Sequence, residues 1–152
     1  MSAETHYLNA LEAFDVGDRK EALAQAKLAV SLDPEHIEAL SLSVEASMPL
    51  RGEQMSMLDA AQGLAAAKKI VALDPSRLDM WVLGGRLMAD ELGLLHDALH
   101  WWQKCRHYTP NEATPLVEMA SILADMGEYE LAQRRLEAIL EENMDVPTSQ
   151  FT

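Results

Sequence analysis

Apolar residues recur along the chain at steps of three and four. Leu8, Leu11 and Phe14 form one such run, and Leu23, Ala26 and Val30 the next. Residues spaced in this way fall on one face of a helix, whereas a half-buried strand would alternate every second residue. The runs predict eight helices, at 3–15, 18–32, 35–48, 57–73, 76–91, 95–108, 112–126 and 128–143. Alanine and leucine dominate the apolar positions, and aromatic residues make up only 5% of the chain. That composition favours helices, because strands draw on β-branched and aromatic side chains.

The punctuation between the helices repeats. Gly17-Asp18-Arg19-Lys20-Glu21-Ala22, Gly93-Leu94-Leu95-His96-Asp97-Ala98 and Gly127-Glu128-Tyr129-Glu130-Leu131-Ala132 share one form, a glycine followed five residues later by alanine. Gly93 and Gly127 stand 34 residues apart. A second landmark is Leu32-Asp33-Pro34, Leu73-Asp74-Pro75 and Tyr108-Thr109-Pro110, with Pro34 and Pro110 each 17 residues after the preceding glycine. Glycine accepts the positive φ of a tight interhelical turn. The small alanine lets the second helix approach the first. The residue before proline avoids the α region, so the Asp-Pro pair ends one helix and opens the next.

These units resemble the tetratricopeptide repeat family. In unit one the resemblance rests on Ala10, Gly17, Ala22, Ala29 and Pro34, in unit three on Gly93, Ala98 and Pro110, and in unit four on Ala120, Gly127, Tyr129 and Ala132. The family's early tryptophan has no aligned counterpart, though Trp81 sits one residue away. The resemblance implies an all-α fold, a right-handed superhelical stack of about four helix-turn-helix hairpins. It implies one domain over 1–146, with repeats at about 3–36, 37–77, 78–112 and 113–146, followed by a flexible tail, 147–152. Unit two departs from the pattern. It runs 41 residues, with its surplus at Pro49-Leu50-Arg51-Gly52-Glu53-Gln54-Met55, after which Ser56 and Asp59 announce a new helix start. Gly63 stands where the other units place their packing alanine. Insertions in stacked repeats map to loops on one face, often the binding face, and longer surface loops also cost little entropy.

In this family the first helix of each hairpin lines a concave groove for a peptide or helix. The resemblance therefore implies a groove of Tyr7, Leu11 and Phe14; Ser41, Leu42 and Met48; Met80, Leu83 and Leu87; and Val117, Ser121 and Ala124. Its margins would carry Glu4, Asp15, Glu38, Glu45, Asp90, Glu91, Glu118 and Asp125. An apolar floor with acidic margins selects a protein or peptide that is apolar and carries Lys or Arg. Packing between neighbouring hairpins is the alternative place for any one of these side chains. The family's carboxylate clamp, by which many members grip chaperone C-termini, falls here on Tyr7, Leu11, Leu42, Met80 and Gly84. None of these can donate a charge-assisted hydrogen bond, so a clamp-type co-chaperone is not expected.

Charge narrows the partner further. The net charge is −13, from 12 Lys and Arg against 25 Asp and Glu. Such a surface repels phosphate backbones and anionic membranes, so neither nucleic acid nor membrane is expected as a partner. The N-terminal Met1-Ser2-Ala3-Glu4 has no basic or apolar run of a signal peptide, and the single cysteine, Cys105, has no mate for a disulfide. Cytoplasmic localisation is the expectation. His96, His100 and His107 fall within roughly 40° of one another on a helix. They are the weak candidates for a metal site, set against a solvated histidine face with no metal. Trp102 is expected in the core and Trp101 at its exposed shoulder, with Cys105 a buried hydrophobe rather than a nucleophile.

No catalytic constellation, phosphate-cradling glycine loop or HExxH pair is present, so neither an enzyme nor a cofactor is expected. The predicted function is a protein-binding adaptor or scaffold. The alternatives are a small acidic chaperone, similar to the repeat-built chaperones of type III secretion, and a structural subunit or weak homodimer.

Overall fold

A computed structural model of the chain describes residues 1–50, 52–138 and 141. Among these residues there are eight helices and no strand. They are α1 (Ala3–Asp15), α2 (Arg19–Leu32), α3 (Ile37–Ser47), α4 (Met57–Leu73), α5 (Leu78–Arg86), α6 (Leu95–Tyr108), α7 (Thr114–Asp125) and α8 (129–138). A π-helical turn, Leu87–Glu91, continues α5 and is followed by the wide Leu92 N–H to Leu87 C=O bond of 2.9 Å. The last residues of the predicted helix 128–143 and the predicted tail 147–152 lie outside the described residues.

The turns reproduce one another in atomic detail. After α1 the Gly17 N–H donates to the Phe14 carbonyl at 3.0 Å and the Asp18 N–H to the Ala13 carbonyl at 2.8 Å. After α7 the Gly127 N–H donates to Ala124 at 3.0 Å and the Glu128 N–H to Leu123 at 2.8 Å. This paired motif uses up carbonyls the helix end leaves without partners, and it requires the left-handed backbone of Gly17 (φ 86°) and Gly127 (φ 82°). The proline turns repeat too. Asp33 and Asp74 end their helices in extended conformation, and Thr109 ends its helix outside the α region at φ −129°, ψ 61°. The amides of His36, Arg77 and Glu112 then close back on them at 3.1, 3.3 and 3.1 Å. That closed turn occupies the two residues after each proline. Hence α3 and α5 begin two residues later than the hydrophobic pattern predicts, and α7, which is preceded by Ala113 as well, also begins two residues late.

The chain divides into two compact units, Met1–Leu92 and Gly93–Thr152. In the first, each helix packs on the next from α1 to α5, the π-helical turn packs on α4, and α1 also lies against α3. Small residues make the contacts: Ala10, Ala22, Ala26, Ala29, Ala39, Ala60 and Ala67 are all fully buried. At Gly63 the approach is closer still, since a Cβ there would stand 3.2 Å from the Leu87 side chain. Trp81 is buried and its indole N–H donates to the Pro75 carbonyl at 2.9 Å, tying α5 to the turn that starts it. In the second unit α6 packs on α7, burying Ala98, Trp102 and Cys105 from one helix and Leu116, Met119, Ala120 and Ile122 from the other. Trp101, expected at the exposed shoulder, is buried as well, at 7% exposure. No helix among the described residues is long and apolar enough to cross a membrane.

Replacing Gly17 with Ala places a Cβ residue at positive φ with open space around it, so the cost is conformational alone. Chemical denaturation should show a loss of about 1–2 kcal/mol. An unchanged midpoint would show that the turn does not depend on the left-handed residue.

Candidate partner-binding face

The sequence-predicted face is best defined in the first unit, where α1 lies beside α3. Leu42, together with Ala10 and Ala26, forms a buried cluster, and Tyr7, Leu11 and Phe14 lie half-buried over it. Phe14 is covered on one side by the Arg19 guanidinium, 5.7 Å from its ring centre. Arg19 also donates to the carbonyls of Glu45 and Met48, each at 2.7 Å. It therefore neutralises the carbonyl end of α3, where the helix dipole is negative.

His36 organises the other end of the face. Its Nδ1 accepts the Ala39 amide at 3.1 Å and so caps α3, which leaves the proton on Nε2 to be donated to Glu4 at 3.0 Å. The imidazole lies 5.0 Å from the Tyr7 ring, tilted by 46°. Tyr7 ionises above its ordinary value of 10.0, first because it is partly buried and then because the charges of Glu38, Glu4 and Glu45 surround it. Those three carboxylates and the Tyr7 ring make an acidic, aromatic patch on half-buried apolar ground. Next to it, Arg77 donates to the buried Ser41 hydroxyl at 3.1 Å and clasps Asp79 at 3.0 and 2.9 Å. The bond to Arg77 holds the Asp79 carboxyl below its usual range, while bonds from Ser76 do the same for Asp74.

Not all of the predicted groove is available to a partner. Leu42, Met80 and Leu87 are 4%, 0% and 0% exposed, because the helix contacts in the first unit enclose them. Met48 and Leu83 are half-buried, and Glu45 and Asp90 are exposed. In the second unit Val117, Glu118 and Ser121 are exposed on α7. The residues that sequence reasoning missed are His36, Arg19 and Arg77. The signal for His36 was available: it occupies the helix-capping position two residues after a proline, where Ser, Thr, Asp or Asn is the usual choice.

His96, His100 and His107 are all exposed on α6. Among the described residues no three His, Cys, Asp or Glu side chains gather as a metal-ligand set. Cys105 is buried, and burial raises its thiol pKa, which makes it a poor nucleophile.

No protein-family model matches the sequence, and no curated protein sequence matches it. Solved structures do. A crystal structure of MamA superposes over 96% of this chain and 81% of its own length, with a TM-score of 0.74 at 19% identity. A second MamA crystal structure covers 96% and 75%, with a TM-score of 0.76 at 18% identity. MamA from Desulfovibrio magneticus RS-1 covers 95% and 77%, with a TM-score of 0.71 at 17% identity. The fold is a tetratricopeptide-like array of helical hairpins. At these identities the likeness concerns the fold and not the side chains of the face.

Two measurements check this description. Truncating Leu42, Met80 or Leu87 to Ala should each cost about 2–5 kcal/mol of stability, since each leaves a cavity in the helix contacts; losses near zero would return them to the surface. In an ultraviolet titration with a Tyr7→Phe control, Glu38→Gln should lower the pH at which Tyr7 ionises. The folded chain holds the Tyr7 proton more tightly than the unfolded chain does. This stabilisation is therefore present below pH about 10 and is lost as pH rises through the folded value. An unmoved Tyr7 titration would show that the carboxylates do not act on it.

Proposed function

We propose that this chain is a non-enzymatic protein-binding adaptor or scaffold, working in the cytoplasm, and that it holds a segment in which Lys or Arg stands beside apolar residues. The observation that carries this reading is Tyr7, half-buried over Ala10, Ala26 and Leu42 and stacked near His36, which holds Glu4, with the charges of Glu38 and Glu45 also acting on the ring. A cation arriving there meets three carboxylates and the face of an aromatic ring. An apolar neighbour on the same segment can cover Leu11 and Phe14, gaining about 25 cal/mol for each Å² of apolar area removed from water.

The tetratricopeptide-like fold supports the reading, because repeated hairpins present side-chain rows suited to extended or helical ligands. The buried, unpaired thiol of Cys105 fits a reducing compartment. By the same reading, Val117, Glu118 and Ser121, exposed on α7, give the second unit an apolar and acidic face of its own.

The test is a panel of short peptides with apolar residues beside either Lys and Arg or Asp and Glu, measured by fluorescence anisotropy. The basic members should bind and weaken with salt. Reversing two exposed charges, Glu4→Lys with Glu38→Lys, should weaken them about tenfold or more without unfolding the chain. Equal binding of acidic and basic peptides, or equal binding by the variant, would refute the reading.

A further inference from the structure

One side chain already stands among the groups that a partner's cation would meet. The His36 side chain is 10% exposed, while the Glu4 and Glu38 carboxylates beside it are 63% and 66% exposed. Its Nε2 lies 3.0 Å from Glu4, its Nδ1 lies 3.6 Å from Glu38, and its ring centre is 5.0 Å from that of Tyr7. A cation beside carboxylates and within about 6 Å of an aromatic ring is attracted by both. The imidazole therefore reaches the same groups from the buried side that a Lys or Arg would reach from solvent.

Its proton count decides whether it acts as that cation. Nδ1 accepts the Ala39 N–H at 3.1 Å, so it carries a lone pair and the ring's single proton sits on Nε2. In this form the ring is neutral and donates to Glu4 alone, since 3.6 Å to Glu38 is too long for a hydrogen bond. A second proton, taken from solvent, must go on Nδ1. There it faces the Ala39 N–H, donor against donor, and the cap of α3 is released. The same proton can be donated to Glu38, so the imidazolium bridges Glu4 and Glu38 beside Tyr7. The positive end of the α3 dipole opposes this exchange, and the two carboxylates drive it. Around the ring, α1 supplies Glu4, Tyr7 and His6, which bonds to Gln25 at 2.7 Å. The turn before α3 supplies Asp33 and Glu35, and α3 itself supplies Glu38. Arg77, ahead of α5, is engaged by Ser41 and Asp79.

We infer that His36 is a proton-operated switch on the cation site, an inference that rests on reading the Tyr7 face as a partner site and adds its regulation. Neutral, His36 makes one uncharged hydrogen bond to Glu4 and leaves both negative charges to a partner's Lys or Arg. Protonated, it takes both carboxylates and stands as the cation in the partner's place. Histidine is the side chain that ordinarily changes charge between pH 5 and 8, so the switch falls within the range a cell can reach. Where the second proton and the partner exclude each other, affinity falls about tenfold for each pH unit below the midpoint of the His36 titration and is level above it.

Two readouts on the whole chain test the switch. In ¹⁵N-labelled protein, the Ala39 amide should move together with the His36 ring nitrogens as pH is lowered from about 7.5 to about 5.5. Fluorescence anisotropy with a labelled peptide in which Leu and Lys alternate should show binding weaken about tenfold over the same range. His36→Asn keeps a side chain able to cap α3 but gains no proton. Whatever its affinity near pH 7.5, that variant should change by less than about twofold on going to pH 5.5. The switch is overturned if the His36 ring gains no proton over this range, or if the Ala39 amide stays still while the ring titrates. Native binding that ignores pH, or equal weakening of the native chain and His36→Asn, also overturns it. Peptide that binds neither chain at either pH has a different meaning: it removes the partner site itself, and the switch with it.

Discussion

Close approach of helix to helix governs this molecule. Alanines at the contacts, with Gly63 where even a methyl group would press on Leu87, bring neighbouring helices together with little side-chain bulk between them. Large side chains therefore cannot all be accommodated on the contact lines. Some, such as Leu42, Met80 and Leu87, fill the spaces that the small residues leave. Others are displaced to the flanks, where Tyr7, Leu11 and Phe14 lie half-buried on one side and Leu23 lines a cleft on another. The turns set the same spacing from the ends. A left-handed glycine closes α1 and α7, and an extended aspartate before proline closes α2 and α4.

Charge is then distributed over these flanks unevenly. Three glutamates act electrostatically on Tyr7, and one of them, Glu4, is bonded to His36, whose ring also caps a helix. Arg19, the cation nearest to Phe14, is spent on the carbonyl end of α3 and does not neutralise the glutamates. Across the same unit, Lys20 and Lys27 line two adjoining hollows beside α2, where Asp59 and Glu53 stand as well. Interface charges of this kind chiefly decide which partner is admitted and how fast it arrives, while apolar contact supplies most of the affinity.

Much of the fold was legible because its signals are local. The glycine-alanine and Asp-Pro landmarks specify backbone conformations that depend on the residues themselves, and helix periodicity follows from the apolar spacing. The starts of α3, α5 and α7 were misplaced by two residues, since the closing hydrogen bond of the proline turn leaves no mark in the hydrophobic pattern. The candidate face was legible only as a list of positions. Periodicity put Tyr7 and Leu87 on equal terms, yet one is half-buried at the surface and the other has no exposure. Trp101 likewise lies a little off the apolar stripe in sequence but is buried in the fold.

The sequence alone determined an all-α chain, the repeat of its turns, its acidic balance and the excess residues of unit two. Each of these is a property of composition or of a few consecutive residues. Only the tertiary structure decided which apolar side chains are consumed in packing, that His36 stands between Tyr7 and Glu4, and that the excess residues line a hollow against α2. Those outcomes depend on how closely helices distant in sequence approach one another, and no local pattern encodes that distance.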